Sequence, residues 1–170
     1  MGCAMRVNLG KIINFPGESE RFEFPLDVDG LKFSDVEEFP EPVMVNGIIE
    51  NRAGVLTVSG TLRARLSCSC ARCLKRFDKQ LNLDISAYLA EELQDEELED
   101  TYLLDGDFAD MDEIARTTLV LNMDQRILCK DDCKGLCPRC GKNLNDGPCD
   151  CREDQDPRLA VLGQLLENND

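Results

Sequence analysis

The chain has 170 residues, enough for one ordinary domain or two small ones, and it can bury a core without help from disulfides. Lys and Arg total 19 against 34 Asp and Glu, a net charge of -15, which argues against indiscriminate binding to nucleic acid or an anionic membrane. Histidine is absent, so Ser-His and Cys-His catalysis are excluded, and the ten cysteines are the strongest compositional signal.

The first residues, Met-Gly-Cys-Ala-Met-Arg, lack the apolar run of a secretory signal, and Arg6 stands where a myristoylation motif wants Ser or Thr. No apolar run is long enough to span a bilayer. A cytoplasmic location is therefore expected, with Cys3 as a free N-terminal thiol. In a reducing compartment, many thiols point to metal binding rather than to a disulfide framework. Short strands are expected at 7–9 and 22–25, then a longer one at 43–50 with a turn at 51–54. From Leu56 to Cys68 every even position is apolar or small and every odd position is polar, the mark of a strand with one buried face. The pattern returns on odd positions from Phe77 to Leu89. The two runs predict an antiparallel hairpin with Cys70 and Cys73 at its tip, Cys68 in the core and Phe77 on the core side.

Residues 81–115 carry 13 acidic residues and no basic one, and read as a solvated connector. Asp110 then suits an N-cap, with Glu113 three positions on, for a helix over 111–121. Ile114, Thr118, Leu119 and Leu121 would form its apolar side. Residues 129–151 have no hydrophobic period and cannot order themselves by burial. Asp156-Pro157 opens a last helix with leucines at 159, 162, 165 and 166. The expected fold class is α+β: an antiparallel β-sheet body, a zinc-bound cysteine-rich C-terminal segment, and one or two flanking helices. The expected division is 1–110 for the β body with its acidic connector, and 111–170 for the helix, the cysteine-rich segment and the last helix.

Cys70-Ala-Arg-Cys73 and Cys137-Pro-Arg-Cys140-Gly141 are both C-x2-C pairs, in which a tight turn lets two sulfurs reach one ion. With Cys129, Cys133, Cys149 and Cys151 they supply eight candidate ligands for one or two Zn2+ ions. In the two-site partition Cys70 and Cys73 join Cys129 and Cys133, while Cys137, Cys140, Cys149 and Cys151 form a local site. In the one-site alternative Cys133, Cys137, Cys140 and either Cys149 or Cys151 are the ligands. Neither arrangement leaves an open position for hydrolytic chemistry, and nothing in the sequence makes a positive case for an enzyme.

Arg63, Arg65, Arg72, Lys75, Arg76 and Lys79 are opposed between 63 and 79 only by Asp78. Lys130, Lys134, Arg139, Lys142 and Arg152 accompany the second cysteine run. If the clusters meet, these cations make one basic patch suited to a phosphate backbone; alternatively they offset the metal thiolates.

The segments Leu66-Ser-Cys-Ser-Cys-Ala-Arg-Cys-Leu74, Leu128-Cys-Lys-Asp-Asp-Cys-Lys-Gly-Leu-Cys-Pro-Arg-Cys-Gly-Lys-Asn-Leu-Asn145 and Asp156-Pro-Arg-Leu-Ala-Val-Leu162 resemble the YceD family. Its bacterial and plastid members are named for large ribosomal RNA subunit accumulation. The resemblance implies a non-enzymatic role in 23S rRNA accumulation and large-subunit assembly. It supplies no set of RNA-contacting residues, so Arg63, Arg65, Arg72, Lys75, Arg76, Lys130, Lys134, Arg139 and Lys142 are candidates on charge alone. Expected partners are 23S rRNA or a large-subunit precursor particle, with neither a membrane nor a small-molecule substrate. A second reading is an acidic adaptor or chaperone for a basic ribosomal protein. A third is a thiol-based redox protein, which requires exposed thiols rather than metal-bound ones.

Overall fold

The computed structural model describes residues 5–92 and 100–151. The last helix, Arg152 and the Cys3 thiol lie outside these described residues. In chain order the elements are β1 (Arg6–Asn8), β2 (Ser19–Leu26), β3 (Val36–Glu38), β4 (Val43–Arg52), β5 (Val55–Ser69), β6 (Arg76–Ala90), β7 (Thr101–Leu103), β8 (Phe108–Asp110) and α1 (Met111–Leu121).

The main sheet runs β2-β4-β5-β6-β7, with β3 pairing the far end of β5. Its pairings are antiparallel except β6 with β7, which is parallel. A second, two-stranded sheet pairs β1 with β8. The hairpin expected from the period-two pattern is present, and each strand is one residue longer at both ends. Leu62 stands between Val45 and Leu83, and Val45 in turn faces Phe24, so one side of the sheet is apolar across four strands. Cys68 is fully buried in this core, as its place in the pattern implies. Two glycines interrupt the apolar face for a steric reason. Gly47 pairs with Gly60 on one side and Phe22 on the other, and a Cβ at Gly47 would lie 2.6 Å from the Phe22 ring. The ring occupies the space that the missing side chains leave.

Asp110 closes β8 and caps α1, its carboxylate accepting from the backbone N–H of Asp112 and Glu113 at 3.1 Å each. Met111, Ile114, Ala115 and Leu119 are buried in the same core as the sheet, so the expected boundary at 110/111 does not divide the core. The expected apolar side is corrected at its end: Leu121, the last residue of the helix, is 73% exposed, while Leu119 two positions earlier is fully buried. The acidic stretch is also more structured than a connector. Residues 81–90 belong to β6, and β7 and β8 lie within 100–110, with Ala109 fully buried. Within β6 the Asp84 carboxylate takes an outward position while Ile85, Ala87 and Leu89 face the core.

The buried polar residue Asn51 is fully used. Its Nδ2 donates to the carbonyls of Ile12 and Ile13 at 2.7 Å each, and its Oδ1 accepts from Gly54 N–H at 2.8 Å. The expected turn at 51–54 narrows to Ala53 and Gly54, both left-handed with φ 54° and 94°, as a two-residue hairpin turn of this twist requires.

Candidate metal centres at the hairpin tip

The β5–β6 hairpin ends in a knuckle built from Cys70 to Lys75. Cys70 N–H donates to Lys75 O at 2.9 Å, and Leu74 N–H donates to Cys70 O at 2.9 Å. Residues 127–145 fold back onto this tip. Ala71 N–H donates to Ile127 O at 2.9 Å, Leu136 N–H to Arg72 O at 3.2 Å, and the Arg72 guanidinium to Cys133 O at 2.9 Å. The Asp35 carboxylate accepts from Ile127 N–H at 2.8 Å, while its carbonyl accepts from Ser69 N–H at 2.9 Å, so one residue holds both segments.

This return brings eight thiols into two groups: Cys70, Cys73, Cys129 and Cys133, and Cys137, Cys140, Cys149 and Cys151. Within each group all sulfurs lie within 4.8 Å of one another, and each group could hold a metal ion. Cys70 and Cys133 sulfurs are 3.8 Å apart, and those of Cys73 and Cys129 are 3.6 Å apart. Four thiolates at ~2.3 Å from one ion stand ~3.8 Å from each other at tetrahedral angles, so the donor set fits such an ion. The nine described cysteines are all free of disulfides. The grouping follows the two-site partition rather than the one-site alternative. The first group is mostly buried; in the second Cys140 is exposed.

Backbone donors and crowding act on the thiols in opposite directions. Burial pushes the Cys70 thiol up, but N–H groups of Cys129, Cys73 and Arg72 outweigh it and bring the thiol down to about 6. The N–H groups of Cys140 and Arg139, with the Cys149 thiol, bring Cys137 down to about 6. Burial and then the neighbouring thiols of Cys73, Cys70 and Cys133 push Cys129 up to about 12. Cys151 is pushed up to about 12 by the Cys140 thiol first and then by burial. Each group thus sets thiols held down against thiols held up, a crowding of charge that a divalent cation would relieve. Cys133 is lowered chiefly by Asn145, whose Nδ2 lies 3.3 Å from the sulfur. Asn143 orients Asn145, accepting from its Nδ2 at 2.8 Å and its N–H at 3.0 Å. Neither asparagine nor Asp35 was among the candidate site residues; for the asparagines the Asn-Leu-Asn tail behind the second C-x2-C pair was the available signal.

The cations divide by what they touch. Arg65 bonds Glu41 at 3.0 Å and Asp78 at 2.9 Å, Arg76 bonds Glu37 at 3.0 Å, and Lys130 lies 3.5 Å from Asp132. Lys79, also of the basic run, is paired with Asp124. The Arg72 and Lys142 head groups meet carbonyls instead, Cys133 O and, at 2.7 Å, Pro148 O. Lys75 and Lys134 make no ion pair among the described residues. Arg139 lies in the second C-x2-C turn, and its N–H supports Cys137. Arg63 is distant from this group, on the outer sheet face opposite Met44 and Asn82, in a shallow polar recess with Glu23 and Asn46.

The molecule is thus a β-sheet protein of the class that carries paired four-cysteine knuckles. The model of the family described as large ribosomal RNA subunit accumulation protein YceD matches residues 58–166, and the chain belongs to that family. It is similar to the Arabidopsis thaliana protein named large ribosomal RNA subunit accumulation protein YCED homolog 1, chloroplastic, at 26% identity over 78% of this chain and 52% of the relative. An uncharacterised protein of Mycobacterium tuberculosis is 31% identical over 66% of this chain and 56% of its own. The uncharacterised protein YlbN of Bacillus subtilis is 24% identical over 98% of this chain and 99% of its own. The chain spans about half the length of the Arabidopsis and mycobacterial relatives. No solved structure matches it. Among the described residues no helix is long and apolar enough to cross a membrane.

Proposed function

We propose that the protein is a non-enzymatic factor that supports 23S rRNA accumulation and large-subunit assembly by binding precursor RNA or particles through a basic tip that two Zn2+ ions make rigid. The observation that carries this reading is the placing of Arg72, Lys75, Lys134 and Lys142 around the two thiol groups with, among the described residues, no carboxylate bonded to their head groups. Cations left without acidic partners are available to phosphates. The family description and the Arabidopsis relative's name supply the process. Closed four-thiolate sites leave no ligand position for substrate, so the metal's part here is to hold shape. The reduced thiols suit a cytoplasmic setting. The test is a double charge reversal, Lys75→Glu with Lys134→Glu. It should abolish association with large-subunit precursor particles while metal content stays normal; unchanged association refutes the basic tip.

The net charge and the ion pairs at Arg65, Arg76 and Lys130 favour a second reading, an acidic adaptor for a basic ribosomal protein. Its surface would be the acidic segment 84–113, which includes Glu91, Glu92, Asp100 and Asp107. An adaptor complex would survive nuclease treatment, whereas an RNA-borne one would not.

A further inference from the structure

The two C-x2-C turns are built alike and differ in one informative place. Gly141 N–H donates to Cys137 O at 2.9 Å and Cys137 N–H to Lys142 O at 2.8 Å, matching the bonds of Leu74 and Lys75 with Cys70. The residue after the second cysteine is left-handed in both turns, with φ 73° at Gly141 and 57° at Leu74. Glycine takes this backbone freely, whereas leucine's Cβ is crowded by its own carbonyl. The leucine is not repaid by burial. It is 66% exposed and belongs to neither apolar cluster. A branched apolar side chain is thus held outward, in a conformation that disfavours it, between Arg72 and Lys75 on a knuckle fixed by sulfur and backbone bonds.

We propose that Leu74 is an apolar wedge that seats against an unstacked base of the bound RNA, while the cations beside it hold the flanking phosphates. The proposal rests on reading the tip as an RNA-binding surface. A paired helix offers this side chain mainly phosphates and sugar edges; a loop or bulge offers the flat face of a base. The preferred target is therefore structured RNA with an open loop, not continuous duplex.

The test uses the metal-loaded full chain and two probes of equal length, an RNA hairpin with an open loop and a fully paired RNA duplex, followed by fluorescence anisotropy. Wild type should prefer the open loop. Leu74→Gly should keep its metal and melt at a higher temperature, because the strain is gone. It should bind the open-loop probe about tenfold more weakly, the effect of removing a part-buried leucine contact, with duplex binding unchanged. Leu74→Asn, which tolerates the backbone and keeps the branched shape without the apolar surface, should show the same loss. Lys75→Glu with Lys134→Glu should weaken both probes. If that double variant loses binding while Leu74→Gly binds the open loop like wild type, the wedge is refuted and the basic tip stands. If the double variant binds both probes normally, or wild type binds neither, the RNA reading falls and takes the wedge with it. Loss confined to a nuclease-resistant protein complex would make Leu74 a protein contact and likewise overturn the inference.

Discussion

Stripping the metal from the purified chain should release residues 127–151 from the hairpin tip while leaving the sheet folded. The apolar side chains of the sheet and of α1 form one cluster, and the sulfurs of Cys70, Cys73 and Cys133 form another. Within 127–151 the one aliphatic side chain in the fully buried class is Ile127, worth ~1.5–3 kcal/mol. A structural zinc contributes apparent binding energy of ~10–16 kcal/mol in small finger peptides. The metal term therefore dominates the ordering of this segment. Hydrogen–deuterium exchange reads the outcome directly, because the amides of Ala71, Leu136, Cys137 and Leu144 donate across or within it. Their protection should fall at least about a thousandfold on chelation, a loss of ~4 kcal/mol, well inside the metal term. Amides of Val58 and Leu62, in the middle of β5, should keep theirs. Elemental analysis of the same samples should give two zinc per chain before treatment. Protection at the four tip amides that survives strong chelation, or native material without metal, would refute the reasoning.

Three further outcomes test other parts of the structure. Asn51→Ala removes three hydrogen bonds and leaves partners in a buried place, so urea unfolding should show a loss of about 2–4 kcal/mol. Gly47→Ala would press a methyl onto the Phe22 ring and the Ser59 carbonyl, and should cost about 1–3 kcal/mol in the same assay. Metal uptake should release protons, since Cys129 and Cys151 hold theirs up to about 12 in the metal-free protein and ligation requires thiolates. Affinity should therefore fall as pH is lowered, which competition with a chromogenic chelator at several pH values would measure.

The long hairpin was legible because its period of two runs through both strands, from Leu62 and Leu66 to Ile85 and Leu89, with Lys79 as its one charged interruption. The gathering of the thiols followed from the same reasoning: a C-x2-C pair at a strand turn and a second in a segment without a core have little else to order them. What escaped was the part settled by contacts distant in sequence. β7 and β8 have three residues each amid acidic neighbours, too short for any period to show, and they exist because β6 and β1 offer them edges. The outward position of Leu121 was equally hidden, since helical spacing predicts which side is apolar but not where the supporting sheet stops. Asp35 gave no local sign that it would clamp Ile127, 92 positions away.

The 15-residue strand β5, which runs through the sheet's centre and ends at the sulfur groups, has a consequence for how this chain tolerates length change. Deleting a single residue between Leu62 and Cys70 would send alternate side chains through the sheet to its other side and retract the knuckle by ~3.3 Å. Leucines would face water and the first two sulfurs would turn away from Cys129 and Cys133. Removing two residues would restore the facing and leave only a shorter arm. Insertions and deletions here are thus felt by parity, as in a reading frame of two, and the ion-holding end keeps count of the strand that carries it.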